Sequence, residues 1–193
     1  MKKWTVEESR VVLDASPFMI VKQERCHLPN GVIIPDYNVV SEPDIVVALV
    51  ITPEQQIVLV EQYKHGIGEI CLEVPGGLSD GGEPLAEIQR EVREETGYES
   101  EHWELLSRYI TNPTRFDNYI YAFIAHNAQR VGEQDLDDTE SIRVHELSIP
   151  EVFAAVAEGR IASVHSIATI FQGFAQAPAN GQVASAGNHP KNR

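Results

Sequence analysis

Between Gly76 and Tyr98 the chain reads GGLSDGGEPLAEIQREVREETGY, a glycine-rich turn running into about a dozen residues with helical spacing. At 100° per residue, Glu87, Glu91, Glu94 and Glu95 fall within roughly a 100° sector of that helix. Leu85, Ile88 and Val92 share an adjoining sector, so one stripe must be buried and the stripe beside it is acidic. Like charges four apart, here Glu87/Glu91 and Glu91/Glu95, destabilise a helix by about 0.2–0.5 kcal/mol per pair unless something neutralises them. Arg90 and Arg93 offset part of that charge if the face is merely solvated; a divalent cation would offset it more fully. Clustered carboxylate oxygens suit a hard ion such as Mg2+ or Mn2+, which keeps positions open for water and substrate phosphate.

The identities and offsets narrow this choice. Gly77, Glu83 and then Arg90-Glu91-Val92-x-Glu94-Glu95-x-Gly97-Tyr98 resemble the Nudix box, the signature of hydrolases that cleave a nucleoside diphosphate linked to another group X. The resemblance covers 22 residues. It departs at one point: Glu83 and Arg90 are separated by six residues, where the family places one more. That shortening bears on the role of Glu83 and on how the turn enters the helix. The resemblance implies an α+β fold, an α/β/α sandwich around a mixed β-sheet, preceded by a small antiparallel N-terminal sheet. The expected division is residues 1–42 for that sheet, 43–174 for the hydrolase domain and 175–193 for a mobile tail of small and polar residues.

A chain of 193 residues with 42% hydrophobic content can bury one full-sized core. The formal net charge of −14 argues against binding nucleic acid through its phosphates, which calls for clustered Lys and Arg. A small phosphorylated substrate bridged by cations stays compatible, because the ions reverse the local sign of the charge. Two cysteines, Cys26 and Cys71, are too few for a disulfide framework, and Cys71 sits in an apolar run that predicts a buried thiol. No apolar stretch approaches the roughly 20 residues of a membrane helix, and MKKWTVEESR lacks a signal peptide's apolar segment. A reducing cytoplasm is the expected compartment.

In chain order, WTVEESRVVL, FMIVKQERCHL and VIIPDYNVV read as three strands. They resemble the N-terminal sheet of the ADP-ribose pyrophosphatase subfamily, which often packs across a homodimer and can stack an aromatic residue on adenine. Phe18 occupies the matching region; packing within the sheet is the alternative. DIVVALVIT and IVLVEQYKH suit neighbouring strands, the first buried on both faces. Where the subfamily shows Glu-Gln-Tyr-Arg the chain has Glu61-Gln62-Tyr63-Lys64, so Lys64 is either a phosphate contact or an exposed lysine at a strand end. EICLEVPGG leads into the box, and glycines at 76 and 77 allow positive φ and a close approach to an ion. WELLSRYITNPTRFDNYIYAFIAHN reads as two strands around a loop containing Pro113, a proline position that the subfamily shares. Arg115 in that loop is a candidate phosphate or ribose contact, with a structural ion pair as the alternative. DDTESIRVH, the helix-like PEVFAAVAEGRI and SVHSIATIFQGF resemble the subfamily's C-terminal half.

The resemblance therefore implies Mg2+-dependent hydrolysis of ADP-ribose to AMP and ribose 5-phosphate, with Mn2+ as a substitute ion and GDP-mannose or a nucleoside triphosphate as alternative substrates. A non-catalytic nucleotide-binding module is the other class of reading. Glu91, Glu94, Glu95 and the Gly76 carbonyl are the expected ligands. Glu140, with Asp138 next, is the expected base acting on the attacking water.

Overall fold

The computed structural model describes residues 1–176. It begins with β1 (Thr5–Ala15), β2 (Met19–His27) and β3 (Ile33–Ser41), a three-stranded antiparallel sheet in sequence order. Every residue of β1 is exposed, so this outer strand presents both faces and an unpaired edge to solvent.

The central sheet starts with β4 (Ile45–Ile51) and β5 (Gln56–Lys64). Successive side chains of β4 point to opposite faces, and both faces are buried, which is why the run is continuously apolar. The two strands pair only beside their connecting turn, at Val50–Val58 and Ile51–Ile57. Beyond it they part. β6 (Glu69–Glu73) takes the freed edge of β5, and β7 (Gly76–Leu78) takes that of β4 at Ile45–Val47. The corner between β6 and β7 thus fills the gap, with Ala48 N–H donating to the Pro75 carbonyl at 3.0 Å.

Helix α1 (Pro84–Thr96) follows, then the short β8 (Tyr98–Glu99), β9 (His102–Tyr109), β10 (Ile120–His126), β11 (Gln129–Arg130) and β12 (Ile142–Ser148). The main path across the sheet is β12-β5-β4-β10-β9, and it is mixed: β10 runs parallel to β4, the other pairs antiparallel. Helices α2 (Ile149–Ala157) and α3 (Val164–Gln176) close the chain. On one face Val47, Leu49, Ile57 and Leu59 pack with Val152, Ala155, Ile161 and Ile170, the last four supplied by α2, α3 and the segment between them. On the other, Val46, Ala48, Val50 and Val58 meet Ile88 and Val92 of α1. The α/β/α sandwich with its small N-terminal sheet is as the sequence led one to expect, and Ile88 and Val92 are the buried stripe of α1 with Leu85 packed against them.

One expectation needs adjusting. Cys71 is only half-buried, because β6 pairs with β5 on one side alone; the buried thiol is Cys26. Helix α3 ends at Gln176, and residues 177–193, the greater part of the expected tail, lie outside the described residues.

The N-terminal sheet is tied to the loop between β9 and β10. Val40 N–H donates to the Arg115 carbonyl at 2.8 Å, the Tyr37 hydroxyl donates to the Thr114 carbonyl, and Ser41 Oγ donates to Asp117 Oδ2 at 2.6 Å.

Candidate active site on the glycine turn and helix α1

The turn from Gly76 to Glu83 lies along the acidic stripe of α1, and three glutamates one helical turn apart each meet a different part of it. Glu95, only 4% exposed, accepts the Gly76 N–H at 2.9 Å. The Glu91 carboxylate lies so close to Gly77 that a β-carbon there would sit 2.6 Å from it. Glu87, 7% exposed, accepts the N–H groups of Asp80 and Gly82 on one oxygen, at 3.0 and 2.8 Å. The stripe's mutual repulsion is thus partly met by backbone donors of the turn itself, a source of neutralisation that residue spacing does not reveal.

The two glycines serve different needs. Gly76 has φ 155°, and a side chain there would collide with the Val46 carbonyl on β4. Gly77 has no positive φ; it is small so that Glu91 can approach. Glu83, the box residue left in question by the shortened spacing, is the N-cap of α1, its side chain accepting the Ala86 N–H at 3.1 Å.

Arg90 bridges two glutamates, donating to Glu91 Oε1 and Glu94 Oε2 at 2.6 Å each. It stands where a cation would balance the same charges. Among the described residues no three His, Cys, Asp or Glu side chains are already gathered as around a metal ion. The donor set nevertheless fits a hard divalent cation: carboxylate oxygens at the mouth of a turn, two of them drawn together by a positive group. Burial pushes the Glu95 carboxyl up to about 8, with Glu91 and Glu140 adding to the effect and the Gly76 N–H and Lys64 opposing it. Burial likewise raises Glu91, against the attraction of Arg90. Near neutral pH the Glu95 carboxyl therefore keeps its proton until a positive charge arrives beside it.

The loop from 131 to 141 is suspended from the C-terminal end of α1, where helix carbonyls lack intrahelical partners. Asp135 N–H donates to the Glu94 carbonyl at 2.9 Å, and Gln134 Nε2 donates to the Glu95 carbonyl at 2.6 Å. Arg93 adds a bond to the Glu133 carbonyl at 2.9 Å. Gln134 also reaches the carbonyl of Ile142, at 3.1 Å, where β12 begins beside Gln62 of β5. Glu140 ends this loop, exposed, and its charge is felt at both Glu91 and Glu95. Its carboxylate accepts the Asp137 N–H at 3.1 Å; Asp138 is exposed at the loop's tip. Gln134 did not stand out in the sequence, because a polar side chain aimed at a helix-end carbonyl leaves no mark in spacing; Arg93 was visible only as a charge offsetting the stripe, not as a tether of this loop.

Lys64 lies near enough to influence Glu95, but its ammonium is paired with buried Glu73 at 2.9 Å. His165 of α3 approaches the other Glu73 oxygen at 3.7 Å. Phe18 is 67% exposed in the turn between β1 and β2, so it does not pack into its own sheet. Arg115 is turned toward the N-terminal sheet, its guanidinium 5.1 Å from the centre of the Tyr37 ring and donating to the Asn38 carbonyl at 3.2 Å. Glutamates, glycine turn, Lys64 and Glu140 therefore converge; Arg115 and Phe18 belong to the N-terminal sheet and its seam.

The fold and this acidic turn-and-helix unit define a class. The sequence matches the NUDIX domain model over residues 42–166, and the chain belongs to the Nudix family. It is a Nudix pyrophosphohydrolase. A "methanol dehydrogenase activator" from Bacillus methanolicus is 35% identical over 136 residues, 69% of this chain and 73% of that protein. An "ADP-ribose pyrophosphatase" from Bacillus subtilis (strain 168) is 30% identical over 135 residues, 69% of this chain and 72% of that one. The solved "Crystal structure of ADP compounds hydrolase" superposes with a TM-score of 0.82 over 95% of this chain and 98% of that chain. At 19% identity this is a likeness of fold.

Proposed function

We propose that the enzyme hydrolyses the pyrophosphate bond of ADP-ribose, giving AMP and ribose 5-phosphate, or of a closely related nucleoside diphosphate sugar. The observation that carries this reading is the placing of Glu91 and Glu95 against the glycine turn, within the field of a third carboxylate, Glu140, from a separate loop. Glu91, Glu94, Glu95 and the Gly76 carbonyl would hold Mg2+, with Mn2+ as a substitute. Bound there, the ion supplies Lewis-acid activation of water and neutralises charge on the pyrophosphate. The chain's own contribution is to fix those oxygens and to exclude water from Glu95. Glu140 accepts a proton from the attacking water or holds that water in line with the phosphorus. Asp138 is the second choice for this role.

Lys64 meets a phosphate oxygen from its post on Glu73, Phe18 stacks on the nucleobase, and Arg115 serves the ribose or phosphate side of the pocket. In this reading residues 1–42 form a subdomain for dimerisation and nucleobase contact, and residues 43–174 carry the chemistry. The wholly exposed β1 supports pairing with a second copy of the chain. No helix of the described residues is long and apolar enough to cross a membrane. Two free cysteines fit a reducing cytoplasm, where we place the enzyme.

Incubation with Mg2+ and ADP-ribose, followed by chromatographic detection of AMP, tests the assignment. ADP-ribose is expected to be cleaved faster than GDP-mannose or nucleoside triphosphates. A preference for either competitor would reassign the substrate, and no cleavage of any would favour a nucleotide-binding role.

A further inference from the structure

The box is one residue short between Glu83 and Arg90, yet the turn is still fastened at both ends to α1. Glu83 is spent on capping the helix through the Ala86 N–H and makes no bond to the turn. The fastening falls to Glu87, one helical turn further on. Its Oε1 accepts from both Asp80 and Gly82, and the Gly82 α-carbon lies close enough that a β-carbon there would be 3.0 Å from that oxygen. Its other oxygen is buried without a hydrogen-bond partner among the described residues, so the side chain is committed to the turn through one atom. Among the described residues the turn has no other comparable restraint over 80–82: Gly81 N–H reaches Ser79 Oγ at 3.0 Å, and Arg90 lies 3.9 Å from Asp80, which is largely exposed.

We propose that Glu87 is a positioning residue that compensates for the shortened turn, holding Asp80–Gly82 down on α1 so that Gly76 and Gly77 stay registered against Glu95 and Glu91. Glu87, Glu91 and Glu95 thus act as a zip of three teeth, the first structural and the next two facing the reaction. The inference rests on the hydrolytic reading of Glu91 and Glu95 for its kinetic consequence, but the restraint itself is readable without any activity. A turn freed at 80–82 displaces the two glycines by a fraction of an ångström, and misplacement by about 1 Å costs catalysis on the order of a hundredfold.

The test compares Glu87→Met, which keeps length and helix propensity but cannot accept a hydrogen bond, with Glu87→Gln, whose amide oxygen can accept both N–H groups, and with Glu83→Ala. Glu87→Met is expected to lower kcat on ADP-ribose by about tenfold to a hundredfold and to raise the half-saturating Mg2+ concentration by about tenfold, with KM changed little. Glu87→Gln is expected to restore both to within about threefold of wild type, and Glu83→Ala to leave kcat unchanged. Amide exchange gives the readout that does not depend on turnover. In the wild-type enzyme the Asp80 and Gly82 amides should exchange at least about tenfold more slowly than in an open loop, and Glu87→Met should abolish that protection while Glu87→Gln keeps it. The proposal is overturned if Asp80 and Gly82 are unprotected in the wild type, if Glu87→Met keeps wild-type kcat, or if Glu83→Ala loses as much. Should Glu87→Met fail to fold, wild-type amide exchange and the Glu87→Gln kinetics decide. Failure of the hydrolytic reading would appear separately, as a wild-type enzyme that leaves ADP-ribose intact while its turn remains protected.

Discussion

Glu95 concentrates the tension in the site. In an unfolded chain its carboxyl gives up the proton near 4.5, whereas burial in the native state keeps it to about 8. Between those values the native state holds a proton that the unfolded state has lost. The contribution of Glu95 to stability is therefore fully present below 4.5, declines as pH rises, and is gone above 8. Metal-free protein should lose up to about 1.4 kcal/mol per pH unit through that window from this group alone, read by denaturant unfolding at stepped pH. Glu95→Gln cannot titrate and should flatten the slope. Because the proposed Mg2+ site requires the carboxylate, apparent Mg2+ affinity should rise by up to about tenfold per unit toward pH 8, measurable by calorimetry. The same substitution should cut kcat by at least about a hundredfold with the circular dichroism unchanged. Glu140→Gln should also lower kcat by about 10²–10⁴-fold but leave Mg2+ affinity nearly intact; unaltered turnover would move the base to Asp138. The glutamates could be read from the sequence because a helix converts spacing into a face. The partners of Lys64 and Arg115 could not: Glu73 and Tyr37 reach them only through strand pairing and the seam between the sheets.

At the scale of elements, the splay of β4 from β5 decides where the glycine turn sits. Main-chain pairing of Val47 with Gly76 leaves no space for a side chain, and the obstacle there is backbone. Gly76→Ala should therefore destabilise the protein by more than about 2 kcal/mol in chemical denaturation. Gly77→Ala meets the Glu91 carboxylate, which can rotate away, so its expected cost is weaker Mg2+ binding with stability closer to wild type. This distinction was invisible in the sequence, where the two glycines look alike. The strands themselves were legible, since β4 is an unbroken apolar run and α1 shows a clear amphipathic period. The parting of β4 and β5 was not, because nothing in either strand's composition says which neighbour will occupy its far edge.

For the whole molecule, the exposed β1 and the outward Phe18 make the N-terminal sheet the place where assembly and nucleobase recognition would meet. If the proposed pairing through β1 holds, Val12→Glu should shift a dimer to monomer in analytical ultracentrifugation, and on the proposed nucleobase role Phe18→Ala should raise KM for ADP-ribose while kcat holds. The loop that carries Glu140 hangs from the carbonyls of Glu94 and Glu95, the last turn of the same helix whose side chains are the proposed ligands. Fraying of that turn withdraws the proposed ligands and the proposed base in a single event. An ageing or overheated molecule would thus fall silent outright instead of lingering as a sluggish, error-prone catalyst.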